Sequence, residues 1–333
     1  MGSVWPVHRG SSTMSLDEAA ARAILILGAP RSGTTWLAKI VDSHPDVLYR
    51  HEPDEVVPPL VTADPARQMA AWARARALRS SVKLPMFRKS FLPPSRAAMR
   101  TGVAHLLGAA SRLPGVAGVA KRLPVPDLLS RASMARLRLA LKLVNWNSAP
   151  IARALPGTRH LFILRHPCGQ IASIMRGLKQ RRFHDIGDGL SPSDAVRTIA
   201  HAERCGLSRR SFAALPLPAR LAWNWRSFNE PALESLQRQD NVRVVPYERL
   251  CAEPREVAHE LFAFAGLSWN AQTERFLTNS TRTSDDAYFG VMRDSAEAAS
   301  QWRRQMSRED QRAVLDTVAS SPLVATWPEL AAA

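Results

Sequence analysis

The chain has 333 residues, of which 46% are apolar, and this content is typical of a globular protein and excludes a disordered one. The formal net charge of +16 favours an anionic partner such as nucleic acid, a membrane surface or an acidic substrate. No signal-peptide core and no run of about 18 apolar residues stands out, so we expect a cytoplasmic protein, with peripheral attachment to the inner face of the membrane as the alternative.

The cysteines and the chain ends add two expectations. Cys168, Cys205 and Cys251 are odd in number and lack metal-ligand spacing, which indicates a reducing compartment and no disulfide framework. The Arg- and Ala-rich composition is typical of a bacterium with GC-rich DNA. We expect a flexible N-terminal tail over residues 1–21 and a single domain over residues 22–333.

The first predicted strand runs into a glycine-bounded loop and then into a helix. Ile24–Leu27 is a short apolar run, Gly28 and Gly33 bound the loop, and Thr34 begins the helical pattern. The free N–H groups of a first helical turn bind anions. Arg31 adds a forked cation that suits tetrahedral oxyanions. This stretch therefore predicts an anion-binding site.

The glycine spacing is that of the nucleotide-binding P-loop, G-x-x-x-x-G-K-S/T, with one departure. Thr34 stands where that motif has the lysine that reaches the β- and γ-phosphates. The cation lies inside the loop instead, at Arg31. A P-loop kinase or NTPase is therefore an alternative that lacks its main charge.

Val47–Tyr49 predicts a second strand, and His51 and Glu52 follow at its carboxyl end. Ligand sites of open parallel sheets gather at that edge. We expect both side chains to face the same edge as the Gly28–Gly33 loop.

A basic block follows between Arg67 and Lys142. It contains 16 Lys and Arg and a single acid, Asp127, and so accounts for nearly all of the net charge. Helical patterns predict a helical insert at about 60–140, with helices over Ala66–Arg79, Pro94–Ala110 and Ser133–Ala140. The block is either a surface for an anionic partner or a solvated face.

The clearest later strand, His160–Leu164, runs into Arg165 and then into a helix that carries Ser173. The two residues are eight apart across a strand-to-helix turn, so both side chains can point at one group. Arg176, three residues beyond Ser173, lies on the same helix face. The turn predicts a second anion-binding site.

Strands that alternate with helices predict an α/β fold with a central parallel sheet and helices on both faces. Further strands are predicted over Leu141–Trp146 and Val242–Val245. Further helices are predicted near 193–203, 218–239 and 308–319, and from Pro254 to Ala265.

The segments GAPRSGTTWL and LRHP, the latter followed by Ser173, resemble those of sulfotransferases that use 3′-phosphoadenosine 5′-phosphosulfate (PAPS), of the bacterial carbohydrate or glycolipid type. The resemblance covers about residues 22–56 and 141–320 and implies a P-loop-like three-layer fold. It implies that PAPS is the co-substrate and that no metal is required. The implied donor-binding residues are Arg31, Ser32, Gly33, Thr34, Thr35 and Trp36 for the 5′-phosphosulfate, Arg165 and Ser173 for the 3′-phosphate, and Arg293 in a segment over the nucleotide.

The resemblance implies transfer of a sulfuryl group to a hydroxyl of a carbohydrate, glycolipid or small-molecule acceptor. Arg31 would stabilise charge on the leaving phosphate. Glu52 is the preferred general base, because carbohydrate-type relatives place a glutamate before proline there. His51 is the competing base, since relatives that act on phenols and steroids use a histidine, and Lys142 would orient the sulfonate or the acceptor.

A third possibility is a non-catalytic binder of nucleic acid or of a membrane surface, built around the basic block. Nucleic acid is the less favoured partner, because Trp72, Phe87 and Phe91 are the only aromatic residues of the block that could stack on bases. The mixture of apolar and cationic residues over 67–142 favours a cap on the acceptor side that lies against an anionic bilayer.

Overall fold

The computed structural model describes residues 15–58, 64–83, 85–134, 136–143, 148–181, 189–236, 238–282 and 295–332. The strands are β1 (Ile24–Leu27), β2 (Val47–His51), β3 (Arg138–Lys142), β4 (Arg159–Leu164) and β5 (Val242–Pro246). The helices are α1 (Leu16–Ala20), α2 (Thr34–Asp42), α3 (Pro65–Ala73), α4 (Leu78–Ser81), α5 (Pro94–Ala110), α6 (Ala117–Arg122), α7 (Arg131–Met134), α8 (Ala149–Ala154), α9 (Pro167–Lys179), α10 (Pro192–Arg204), α11 (Arg209–Ala213), α12 (Leu217–Leu236), α13 (Tyr247–Ala252), α14 (Pro254–Ala265), α15 (Ala271–Arg282), α16 (Ser295–Ser300), α17 (Trp302–Gln305), α18 (Arg308–Ala319) and α19 (Leu323–Thr326).

The five strands form one parallel sheet in the order β2-β3-β1-β4-β5. β1 lies at the centre, and its four residues are all buried because both neighbouring strands and both faces cover it. Parallel strands bring their carboxyl ends to one edge of the sheet. The chain segments after β1, β2, β3 and β4, which carry the predicted site residues, therefore meet there.

Helices cover both faces of the sheet. On one face Leu25 and Leu27 belong to a core that also includes buried residues of α9, α12 and α18. On the other face Ile24 and Ile26 belong to a core built with α2, α14 and α15. Alternate residues of β1 thus enter opposite cores, as the pleat requires. The predicted α/β fold with a central parallel sheet and helices on both faces is confirmed.

Two predictions made from local patterns differ from the structure. The pattern over Ser133–Ala140 predicts a helix, but α7 ends at Met134 and β3 begins at Arg138. β3 is buried between β1 and β2, so strand pairing overrides the local helical pattern. Residues 16–20, predicted as part of a flexible tail, form α1 with a capping box between Ser15 and Glu18.

The segment between β2 and β3 holds helices α3 to α7 among its described residues. Ala77 and Pro124 form an isolated antiparallel bridge that ties the start of α4 to the end of α6. In the part of the chain that the structure describes, no helix is long and apolar enough to cross a membrane.

Candidate active site

The loop between β1 and α2 is held in an unusual backbone conformation by close packing. Gly28 and Gly33 have φ angles of 151° and 103°, which L side chains rarely adopt. A Cβ atom at Gly33 would lie 2.6 Å from the ring of Tyr247, and one at Gly28 would lie 2.7 Å from the carbonyl oxygen of Ile163. Arg31 itself has a φ of 69°. The neighbouring elements therefore fix the path of the loop.

The two predicted anion sites meet directly. Arg31 donates from Nε to the Oγ atom of Ser173 at 3.1 Å. Arg165 donates from Nη1 to the carbonyl oxygen of Arg31 at 3.0 Å. Residues that are more than 130 positions apart in the chain thus share one hydrogen-bonded cluster at the carboxyl edge of the sheet.

Arg165 is held firmly at the base of this cluster. Its guanidinium lies 4.3 Å from the centre of the Tyr247 ring, and Nη2 donates to the carbonyl oxygen of Ala298 at 3.0 Å. The Trp225 indole donates to the Arg165 carbonyl at 3.1 Å. The Nε atom of Arg165 is buried and has no hydrogen-bond partner among the described residues. A buried donor without an acceptor is costly, so this atom is suited to an anionic ligand.

The remaining loop residues divide into two groups. Ser32 is buried, and its Oγ atom has no hydrogen-bond partner in the part of the chain that the structure describes. Thr34 is buried and Thr35 is half-buried at the start of α2. Trp36 instead donates from Nε1 to Ser280 Oγ at 3.2 Å. Its ring also meets the edge of Tyr247, with 6.4 Å between the ring centres. Trp36 thus ties α2 to α15.

Glu52 lies directly after β2 between two cations. Its Oε1 atom accepts from Lys142 Nζ at 2.6 Å, and its Oε2 atom accepts from Arg79 Nη2 at 3.1 Å. Burial alone would raise the pKa of Glu52, but the charges and hydrogen bonds of these partners and the nearby His51 lower it to about 2. Glu52 has a φ of 51°, and its N–H donates to the Lys142 carbonyl at 2.8 Å.

His51 is buried next to Glu52 and shares a hydrogen bond of 2.8 Å with the Tyr49 hydroxyl through Nδ1. Its Nε2 atom lies 3.5 Å from Glu52 Oε1. Burial and the nearby Lys142 lower the pKa of His51 to about 3. The imidazole is therefore neutral at pH 7, and the two candidate bases lie side by side.

Sequence reasoning misses Arg79, which reaches Glu52 and Glu55 from α4. Burial and nearby cations lower the pKa of Lys83, which lies in the field of Glu52. No spacing rule links these residues to Glu52, because the contacts depend on how the insert packs on β2. The only sequence feature that marks Arg79 and Lys83 is their place in the basic block.

Further side chains near this edge contact neighbouring elements. Arg176, which is predicted on the same helix face as Ser173, donates from Nη1 to Gln301 Oε1 at 3.1 Å, between α16 and α17. His166 stacks on Trp302 with 4.6 Å between ring centres. Glu248 accepts from the His166 N–H at 3.1 Å, which ties the start of α13 to the turn after β4. Arg293 lies outside the described residues.

A group with metal-ligand chemistry lies away from this edge. Ligand atoms of His201, Cys205 and Glu230 lie within 4.8 Å of one another. Arg226, however, donates from Nε to Glu230 Oε1 at 2.7 Å, and His201 Nε2 pairs with Oε2 at 2.7 Å. The Glu230 carboxylate is thus already neutralised by a guanidinium, so this group is better described as an ion-pair network between α10 and α12.

The family model for the sulfotransferase family matches residues 23–271 of the chain. This match includes the loop after β1, Glu52, Arg165 and Ser173. No curated protein matches the sequence.

Three solved structures are similar to this chain over most of its length. The sulfotransferase domain of the olefin synthase of Synechococcus PCC 7002 is 17% identical, with 91% of this chain and 94% of that chain covered and a TM-score of 0.46. A mouse sulfotransferase complexed with PAP is 12% identical, with 94% and 93% covered and a TM-score of 0.43. A Mycobacterium avium sulfotransferase is 15% identical, with 92% and 76% covered and a TM-score of 0.39.

Proposed function

This chain belongs to the sulfotransferase family, and on that basis we propose that it transfers a sulfuryl group from PAPS to a hydroxyl group of a carbohydrate, glycolipid or small-molecule acceptor. The observation that supports the donor most directly is the hydrogen bond between Arg31 and Ser173, which joins the loop after β1 to the helix after β4. Two anion sites joined in this way suit a nucleotide with phosphates at both its 5′ and 3′ positions.

In this proposal the 5′-phosphosulfate lies against the loop. The N–H groups at the start of α2 and the hydroxyls of Ser32, Thr34 and Thr35 bind its oxygens. The unpartnered Oγ of Ser32 supports this role. Arg31 stabilises the charge that grows on the leaving phosphate.

Arg165 and Ser173 bind the 3′-phosphate in the same proposal. The unpartnered Nε of Arg165 is the donor that such a phosphate would satisfy. Trp36 lines the donor site while it ties α2 to α15. Arg293 is proposed to cover the nucleotide.

The proposed reaction is a single displacement at sulfur. The acceptor oxygen forms a bond to sulfur as the bond between sulfur and the phosphate oxygen breaks, and the hydroxyl proton moves to Glu52. PAP and the sulfated acceptor are the products. By analogy with phosphoryl transfer, the protein mainly positions the groups and neutralises charge. We propose that no metal ion is needed for this chemistry.

Glu52 is the proposed general base, and its ion pairs keep the carboxylate charged. A carboxylate with a pKa of about 2 is charged and ready to accept a proton at any physiological pH, but it is a weak base. In a loose transition state the acceptor becomes acidic only as the new bond forms, and an ordinary carboxylate serves in related phosphoryl transfers. Lys142, which is paired with Glu52 at 2.6 Å, is positioned to orient the sulfonate as well.

The alternatives from other classes have less support. The family match does not support a P-loop kinase or NTPase, and Thr34 stands where those enzymes carry their charged lysine. We propose a cytoplasmic location with peripheral contact to an anionic membrane, and we do not propose nucleic acid as a partner.

The test is release of PAP from PAPS by the purified chain in EDTA, with and without sugar and glycolipid acceptors. We expect PAP and a sulfated product in equal amounts only when a hydroxyl acceptor is present. Turnover that stops in EDTA and returns with Mg²⁺ would contradict the metal-free part of the proposal. PAPS that stays intact with every acceptor, together with no detectable PAP binding, would contradict the donor.

A further inference from the structure

The α5–α6 hairpin, residues 94–123, exposes most of the large apolar side chains on the described surface. Of the eight exposed large hydrophobic residues, six lie in this hairpin. They are Met99, Leu106, Leu113, Val116, Val119 and Leu123, and their exposed fractions run from 44% for Leu123 to 73% for Leu106. A concentrated apolar patch of this kind marks a surface that contacts something else.

The apolar side chains of α5 form a stripe that is exposed at Met99 and Leu106 and half-buried at Val103. Met99, Val103 and Leu106 have the spacing i, i+4 and i+7, so they share one helix face. Ala104 is the only buried residue of this 17-residue helix. A helix that buries so few residues gains little stability from packing against the rest of the protein.

The second helix of the hairpin repeats the arrangement on a smaller scale. Val116, Val119 and Leu123 have the spacing i, i+3 and i+7, and all three are exposed. Ala120 is the only buried residue of α6. Both helices therefore leave an apolar face without a protein partner among the described residues.

The same hairpin is strongly basic. Residues 94–123 contain five Lys and Arg and no Asp or Glu. Four of the five are exposed: Arg96, Arg112, Lys121 and Arg122. Apolar and cationic side chains on one convex helical surface are the pattern of helices that lie in the interface of an anionic bilayer.

Charge argues against a second copy of this chain as the partner. Two copies of the hairpin would bring ten cations together with no carboxylate to pair with them, and like charges in contact are repulsive. The apolar side chains are exposed along two helices, so a planar and deformable surface suits them better than a pocket. Acidic phospholipid headgroups also satisfy several cations at once.

We infer that the α5–α6 hairpin binds the surface of an anionic bilayer and that the hydroxyl acceptor is a membrane lipid or glycolipid. This inference rests on the proposed function for its acceptor part. The apolar side chains enter the boundary between headgroups and acyl chains, while Arg112, Lys121 and Arg122 meet the lipid phosphates.

The hairpin is connected to the candidate base by a short path. Leu78 donates its N–H to the Leu123 carbonyl at 3.1 Å, and Val125 donates to the Arg76 carbonyl at 2.7 Å. These bonds fix α4 against the end of α6, and Arg79 of α4 holds Glu52. The hairpin and Glu52 are thus joined through the one short helix α4, and this link is the observation behind a lipid acceptor.

The test is co-sedimentation of the full chain with phosphatidylcholine vesicles, with and without phosphatidylglycerol. We expect binding only to the anionic vesicles, weaker in high salt. Leu106→Ser should weaken binding at least about tenfold, since one buried Leu side chain is lost. Lys121→Gln should weaken it about fivefold. Val196→Ser on α10, which removes a side chain that is 69% exposed, is the matched control and should leave binding unchanged.

Other outcomes would overturn the inference. Equal binding to neutral and anionic vesicles, or equal effects of Leu106→Ser and Val196→Ser, would show that the hairpin is not the lipid-binding surface. A dimer in sedimentation equilibrium that Leu106→Ser dissolves, with no vesicle binding, would assign the hairpin to self-association. Melting with PAP, measured on the same samples, reports on the donor site separately, so failure of the membrane inference and failure of the proposed function are distinguishable.

Discussion

The donor side and the acceptor side of the molecule are built in different ways. On the donor side, the loop after β1 and the turn after β4 are fixed by main-chain geometry, tight packing and the bond between Arg31 and Ser173. On the acceptor side, Glu52 is held by the side chains of Lys142 and Arg79, and Arg79 is 55% exposed. The comparison contrasts a tightly packed loop, where we propose that the nucleotide binds, with a site held by side-chain ion pairs, where we propose that the acceptor enters.

Removal of the proposed base should give the largest effect and should leave the donor side intact. Glu52→Gln is expected to lower kcat by about 10²–10⁴, because the acceptor proton loses its carboxylate. PAP binding, measured by calorimetry, should be unchanged. Glu55→Gln is the matched control, since Glu55 also pairs with Arg79. A larger loss of kcat in His51→Asn than in Glu52→Gln would assign the base to His51.

Arg31→Ala should damage the donor side itself. We expect a loss of about 10²–10³ in kcat, the size seen when one transition-state donor is removed. The KM for PAPS should rise as well, because Arg31 also positions Ser173. Arg153→Ala, an exposed arginine on α8, is the control and should behave as the wild type. Unchanged kinetics in Arg31→Ala would show that the loop takes no part in the reaction.

Gly33→Ala tests whether packing fixes the donor loop. A methyl group there meets the Tyr247 ring at 2.6 Å and stands on a backbone with a φ of 103°. We expect a loss of about 1–3 kcal/mol in the free energy of unfolding. Gly118→Ala, in α6 with open space around its Cβ position, should instead be neutral or stabilise by up to about 1 kcal/mol. Equal effects in urea unfolding would contradict the account of the loop.

A separate effect is expected on the pH dependence of stability. The pKa of His51 falls to about 3 in the folded protein, below its ordinary value of 6.5. The unfolded chain therefore binds the proton first, and stability is lost as pH falls from about 6.5 towards 3. His51→Asn should flatten this loss, as measured by urea unfolding at several pH values between 7 and 4. If the free energy of unfolding of His51→Asn depends on pH as steeply as that of the wild type, His51 is solvated and the account of its burial is wrong.

The donor side was predictable because its signals are local. A buried strand, a glycine-bounded loop and a helix start are adjacent in the chain, and the same holds for the strand, Arg165 and Ser173. The fold class followed from the alternation of strands and helices. β3 was misjudged because its strand pairing, rather than its local pattern, decides its structure.

The acceptor side was only partly predictable. Glu52 and His51 follow a strand and could be named, but their shifted pKa values depend on burial and on Lys142, and for Glu52 also on Arg79. These side chains come from distant segments of the chain. The composition of the basic block indicated an apolar and cationic surface. It could not show which side chains of α5 are exposed, because that depends on how the insert packs against β2 and α4.

The central claim, that the two loops form one site for a nucleotide with 5′ and 3′ phosphates, is tested most directly by thermal melting. The chain is melted with PAP in EDTA and, separately, with ATP and Mg²⁺. At about a hundred times its dissociation constant, PAP should add about 2.7 kcal/mol of stability, and Arg31→Ala should abolish this gain. A gain with Mg-ATP alone, or no gain with PAP in the folded wild-type protein, would contradict the account.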